Sequence, residues 1–219
     1  MTLLRPHLPE GRPLRILDAG CGTGGFLGDL SSLGPTAGVD ASVAALALAR
    51  TRAPFHLAAA TVQALPFPSE SLDLILSMDV LYHRSVPDEA QALGEMVRCL
   101  RPGGLLCVNL PAYGWLRSAH DDAIHTARRY TRRRVRRLLA AQPLRILRLT
   151  HWNAILFPGV AAVRLLRRTG RASDVRPVAP VLNALLASVL GAEAAWLARG
   201  DLPFGLSIAA VVRKEDPVR

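Results

Sequence analysis

Two aspartates and a run of glycines carry the first recognisable chemistry in this chain. Residues 15–25 read Arg-Ile-Leu-Asp-Ala-Gly-Cys-Gly-Thr-Gly-Gly, a buried strand running into a glycine-rich turn and then a helix. That order brings a small molecule against bare backbone at a helix N-terminus. Gly20, Gly22 and Gly25 meet the spacing G-x-G-x-x-G of a dinucleotide turn. Asp18 argues against a dinucleotide. It stands where the strand ends and the ligand begins, so a pyrophosphate would face a like charge with no Lys or Arg in the turn. A ligand carrying an ammonium and a sulfonium would find a partner there. Gly20 and Gly22 remove Cβ atoms along its path, and Gly24 and Gly25 open the start of the helix.

S-adenosylmethionine (SAM) is such a ligand. A second short strand, Thr36-Ala37-Gly38-Val39-Asp40, ends in a carboxylate placed to accept both ribose hydroxyls. Ser42 then begins an alanine-rich helix, Val43 to Arg50. On these residues the chain resembles the class I SAM-dependent methyltransferases. The resemblance implies an α/β fold: a Rossmann-like, doubly wound sheet of seven strands, mostly parallel with an antiparallel last strand. It also implies SAM as cofactor and S-adenosylhomocysteine as product, with Asp18, Gly20, Cys21, Gly22, Gly24, Asp40 and Ala41 around the donor.

The resemblance continues in Leu65-Pro66-Phe67-Pro68 and Ser71-Leu72-Asp73-Leu74-Ile75-Leu76-Ser77. Many relatives place an acid four residues before that leucine, against the adenine amino group. Here the position is Thr61, a hydroxyl without charge, and Val62 offers a backbone N–H to the ring. The same resemblance implies Ser77 and Met78 near the methionine part of the donor and Asp79 facing the substrate mouth, and His83 is either a base or a helix-start residue.

The substrate side begins at Asn109-Leu110-Pro111-Ala112-Tyr113-Gly114-Trp115, where ligands bind in open α/β sheets. His120-Asp121-Asp122-Ala123-Ile124-His125-Thr126-Ala127-Arg128-Arg129-Tyr130 resembles an H-D-x-x-x-H-x-R-R-Y element of one bacterial subgroup. If the stretch is helical, Asp121 and His125 share a face and form an orienting acid–base pair. The candidate catalytic set is therefore His125, Asp121, His120 and Tyr130. Asp79, His83, Tyr113, Arg128 and Arg129 are the candidate substrate contacts, the arginines fixing an anionic group. The competing reading is that the cluster stitches a lid to the core. No zinc-like spacing is present, and no metal is expected.

These residues need elements to hold them. Strands are expected at Leu14–Asp18, Thr36–Asp40, Phe55–Ala59, Leu72–Met78, Leu105–Leu110, Leu144–Thr150 and Leu206–Arg213. Helices are expected at Gly24–Leu33, at Val43–Arg50, after Pro87, and from a Thr131 cap to Ala141. The alternation implies a parallel sheet covered on both faces. Residues 1–219 read as a single domain with a lid at 111–130 and a helical insertion at 151–205. Helices near Ile155–Arg168 and Val178–Arg199 are expected in that insertion. Trp152, Phe157 and Trp196 are its candidates for lining an apolar pocket, the rival reading being a packed lid or dimer helix.

Composition bounds the function. Half of the 219 residues are hydrophobic, which excludes disorder. Three cysteines fit reduced thiols and a cytoplasmic setting, and no signal peptide or membrane span is expected. The net charge is +10, carried almost wholly by arginine. Sparse aromatics, 5%, make nucleic acid an unlikely partner. The reading is methyl transfer from SAM to a small-molecule or lipid-like acceptor, O-methylation first, by a monomer or homodimer with membrane-surface contact possible. The alternatives are an RNA methyltransferase using the arginine-rich face, or a SAM-binding protein without transfer.

Overall fold

Seven strands form one sheet in the computed structural model, which describes residues 1–52, 55–166 and 180–216. They are β1 (Ile16–Ala19), β2 (Thr36–Asp40), β3 (His56–Ala59), β4 (Leu72–Met78), β5 (Leu100–Pro111), β6 (Leu144–Trp152) and β7 (Ser207–Lys214). The spatial order is β3-β2-β1-β4-β5-β7-β6. β1 to β5 pair in parallel, and β7 runs antiparallel to both β5 and β6. The order reverses at β1, between β2 and β4, and a ligand crevice opens at such a reversal.

The helices α1 (Leu27–Ser31), α2 (Val43–Arg50), α3 (Glu89–Cys99), α4 (Ala119–Ala123), α5 (Arg132–Ala140), α6 (Phe157–Leu166) and α7 (Pro180–Leu197) join them. Every residue of β1 is buried, as a central parallel strand requires. Leu17, Ile75 and Leu106 meet Leu93 and Met96 of α3 and Val135 and Leu139 of α5 on one face. Ile16, Leu74, Leu76 and Val211 meet Leu4 and Leu30 on the other. Far from the crevice, buried Asp73 gathers Arg12, Arg15 and Arg101.

Three elements differ from the sequence expectation, each for a local reason. α1 begins at Leu27 instead of Gly24, because Gly24 sits at φ +79° and prolongs the turn. β5 begins at Leu100: the Arg101–Gly104 breaker does not precede the strand but bulges within it, and the pairing jumps from Leu72↔Leu100 to Leu74↔Leu105. α4 ends at Ala123, and His125 adopts φ +55°, so residues 120–125 are not one helix. The expected helix ends at Arg168 and Val178 lie outside the described residues, as do the side chains of Val181, Leu182 and Leu185. No helix among the described residues is long and apolar enough to cross a membrane.

Candidate active site

The crevice is a cavity of about 480 Å³ at the carboxyl ends of β1, β2 and β4. Of the sequence candidates, Gly20, Gly22, Asp40, Ala41, Thr61, Val62, Asp79 and His83 line it. Ser42, Ala60, Val80, Ser85 and Val86 complete the wall. Asp18, Cys21, Gly24, Ser77 and Met78 do not line it, nor do Tyr113, His120, Asp121, His125, Arg128, Arg129 and Tyr130. Cys21 is buried beneath the turn, where a Cβ on Gly38 would come within 2.8 Å of its sulfur. Burial pushes its thiol up to about 12, so it is neither nucleophile nor base at neutral pH. Met78 packs into the second core cluster, and Gly24 is held against Ala49 and Leu27.

Asp40 closes the glycine turn. Its Oδ2 accepts the Gly22 N–H at 2.8 Å and its Oδ1 accepts the Ser42 N–H at 2.8 Å. Ser42 in turn caps α2 by accepting from the Ala45 N–H. The Gly20 and Cys21 N–H groups both donate to the Val39 carbonyl, which ties the turn to β2. Gly20 is required twice over: its φ is +87°, and a Cβ would lie 2.2 Å from Val80.

Asp18 is the anomaly. It is fully buried at the end of β1, and neither carboxylate oxygen has a partner. Desolvation, with Asp40 adding like charge, pushes its carboxyl up to about 7. A buried acid without partners is costly unless a positive ligand group meets it. The residues present fit SAM: Asp18 would lie beneath its positive methionine end, the Gly20–Gly22 backbone would run beside it, Asp40 would take the ribose, and Thr61 and Val62 the adenine. Thr61 Oγ1 accepts the Gln63 N–H at 3.3 Å and holds its own turn. The loop that follows is stapled to α3 by Arg98, which donates to the Leu65 and Phe67 carbonyls and to Glu95.

His83 stands at the mouth. Its Nδ1 accepts the Ser85 N–H at 3.1 Å and contacts Ser85 Oγ at 2.7 Å. In the neutral ring the proton is then on Nε2, so His83 presents a donor and not a base. Burial, with His125 next, lowers its pKa and favours that neutral form. The His125 ring meets it edge-on at 5.6 Å.

The segment 111–130 corrects the expected acid–base pair. Asp121 does not orient His125. It is fully buried, and it accepts from Arg129 Nε at 2.7 Å and from the Ser118 N–H at 2.9 Å. Arg129 also donates to the Ala112 carbonyl, and Arg128 donates to the Val86 and Pro87 carbonyls. Both guanidiniums hold protein, not a substrate anion. Tyr130 is fully buried, donates to Glu89 and lies under Arg134. Its hydroxyl is pushed far above its ordinary range by burial and Glu89, which unsuits it as a base. His120 is half-buried with Nδ1 unpartnered. The element latches the lid across 81–89, with bridges His83↔Thr126 and Ala112↔Tyr130.

Tyr113 sits at φ +55° and its hydroxyl meets His151 Nε2 at 3.2 Å. Its ring touches Trp115 and Phe157, and Phe157 touches Phe204, an aromatic cluster at the same end of the sheet. Trp196 does not join it and points outward, 61% exposed. Trp152 donates its indole N–H to Asn109 Oδ1 at 2.9 Å. The sequence reading missed Asn109 as a site residue.

The sheet order is that of a Rossmann-like fold, with the carboxylate-closed glycine turn and the partnerless acid beneath it at the point where the strand order reverses. Comparison with known proteins agrees. Residues 17–108 match the family model described as a methyltransferase domain. The malonyl-[acyl-carrier protein] O-methyltransferase of Enterobacter lignolyticus is 39% identical over 106 residues, 47% of this chain and 41% of that protein. The ubiquinone biosynthesis O-methyltransferase of a Bradyrhizobium strain is 34% identical over 108 residues, 47% of this chain and 42% of that protein. A crystal structure of a SAM-dependent methyltransferase from Mesorhizobium loti superposes with a TM-score of 0.65 at 20% identity, covering 96% of this chain and 95% of that one. Residues 17–108 are thus similar to a methyltransferase domain, and the fold is shared with solved SAM-dependent methyltransferases. The chain spans between 35% and 53% of the length of the first curated relatives it matches.

Proposed function

We propose that this protein transfers a methyl group from SAM to a small-molecule or lipid-like acceptor, with an oxygen as the first candidate for the receiving atom. The observation that carries this is Asp18, a fully buried carboxylate with both oxygens unpartnered beside the glycine turn. It suits a ligand that brings its own positive charge. The sulfonium supplies an already activated methyl, so the protein's work is to orient donor and acceptor and to exclude water. Asp40 and the Gly20–Gly22 backbone hold the donor in this reading. The lid latched by Arg128, Arg129 and Tyr130 packs beside the mouth at His83, and in this reading His83 Nε2–H and Asp79 meet the acceptor. The O-methyltransferases among the relatives favour oxygen, and the exposed aromatic cluster favours an acceptor with an apolar part. His125 keeps only a secondary role at the mouth, without the orienting acid expected of it. Incubation with methyl-labelled SAM and pooled small metabolites, read by mass spectrometry, tests the proposal. A labelled product is expected; none across broad pools, with SAM still bound, contradicts transfer.

A further inference from the structure

Most of the charged side chains around the lid are spent on protein, whereas Asp79 lines the cavity. It leaves β4 at φ +63°, an uncommon conformation for a residue with a side chain, and its carboxylate enters the cavity. Its Oδ1 accepts from Asn109 Nδ2 at 2.9 Å, and its backbone N–H donates to the Asn109 carbonyl. Asn109 is itself buried, and its amide cannot flip. The Trp152 indole is a donor only, so the atom it meets at 2.9 Å is the amide oxygen, which leaves the NH₂ for Asp79. Three strands thus contribute one relay: Trp152 at the end of β6, Asn109 in β5 and Asp79 after β4. The relay engages Oδ1, and Asp79 lines the cavity.

The charge around this group is one-sided. No Lys or Arg lines the cavity among the described residues, while two carboxylates do and Asp18 lies beneath. The lid arginines are engaged elsewhere: Arg84 and Arg117 with Asp122, Arg128 with the 86–87 carbonyls, and Arg129 with Asp121. The basic side chains nearest the site are thus each paired with protein groups.

We infer that Asp79, positioned by Asn109 and Trp152, receives the methyl acceptor, and that this acceptor is a neutral or cationic hydrogen-bond donor, a hydroxyl or amine, and not a carboxylate or phosphate. The inference rests on the methyl-transfer reading above and narrows its substrate class. An anion would meet Asp79 and Asp40 with no Lys or Arg in the cavity wall to offset them, whereas an O–H or N–H finds Oδ2 ready to accept. When the acceptor atom bonds to the methyl carbon, the sulfur–carbon electron pair stays on sulfur. The acceptor's proton passes to Asp79 Oδ2 and then to water. Burial raises the Asp79 carboxyl above its usual range, and the Asn109 N–H holds it back. Tyr82, His83 and Asp40 are the other titratable groups around it.

The test has two parts. The first asks which atom carries the label in products formed from methyl-labelled SAM and metabolite pools. A methyl on a hydroxyl oxygen or amine nitrogen is expected, and a methyl ester or methyl phosphate overturns the inference. No product at all, with SAM still bound by calorimetry, removes the transfer reading and this inference with it. The second uses Asp79→Asn, Asn109→Leu and Trp152→Phe. Asp79→Asn should lower turnover by about 10²-fold or more while SAM affinity stays within about twofold. Asn109→Leu removes the N–H that favours the carboxylate, so the Asp79 carboxyl resonance should titrate at higher pH in carbon-13 NMR without SAM. The acid limb of turnover should move the same way, with a smaller shift in Trp152→Phe. Turnover in Asp79→Asn equal to wild type, or an unmoved titration in Asn109→Leu, overturns the assignment.

Discussion

Replacing Asp18 by Asn should make the unliganded protein more stable at alkaline pH while abolishing its cofactor site. The carboxyl is pushed from 3.8 to about 7 in the folded chain, chiefly by desolvation and then by Asp40. A raised acid holds its proton more tightly when folded. The stability it contributes is complete below pH 3.8 and is lost as pH climbs to about 7. The shift corresponds to about 4 kcal/mol of lost stability by pH 8. Asn carries no charge but buries an amide that also lacks partners, which returns about 1–2 kcal/mol of the gain. The net expectation is a variant more stable by about 2–3 kcal/mol at pH 8, or about 5–10 °C in Tm for a domain of this size. At pH 5 wild-type Asp18 is mostly protonated, so the advantage should vanish or reverse. Thermal unfolding of both proteins without SAM, at pH 5 and pH 8, checks this. A difference in Tm that does not change with pH, or an Asn variant less stable at pH 8, would refute the view of Asp18 as an unsatisfied buried charge.

Other perturbations separate lid architecture from chemistry. Arg129→Ala strands the buried Asp121 carboxylate and should cost about 3–5 kcal/mol in urea unfolding, since one partner of a buried pair is left charged. Gly20→Ala adds a Cβ 2.2 Å from Val80 at φ +87° and should cost about 2–4 kcal/mol. Because Val80 lines the cavity, calorimetry should show weakened SAM binding in the same variant. His125→Ala should change turnover far less than Asp79→Asn, because no acid orients the ring; a loss in steady-state assays as large as that of Asp79→Asn would restore His125 to catalysis.

The donor half of the site was readable because its signals are local. Asp40, Ser42 and the helix it caps are contiguous, and the glycines announce a turn whose positive φ values only they adopt readily. The sheet was readable from runs such as Leu72–Met78, buried along nearly its whole length. The lid was not. A four-residue spacing between Asp121 and His125 looks helical, yet the chain turns back at 124–126 so that Asp121 can meet Arg129, a pairing that tertiary packing decides. The relay was equally hidden. Trp152 and Asn109 are 43 residues apart and meet only because β6 and β5 both pair with β7. Trp196 misled in the other direction: an aromatic in an apolar helix suggested a pocket wall, and the structure turns it outward.

The central claim is that the cavity lined by the Gly20–Gly22 turn and Asp40, with Asp18 buried beneath it, holds SAM. Isothermal titration calorimetry of SAM against the wild-type protein and Asp40→Ala tests it most directly. The account predicts one site per chain in the wild type. It also predicts a loss of about 10²-fold in affinity when Asp40 is removed, since two charge-assisted hydrogen bonds to the ribose go with it. No binding to the wild type, or equal affinity in Asp40→Ala, would contradict it.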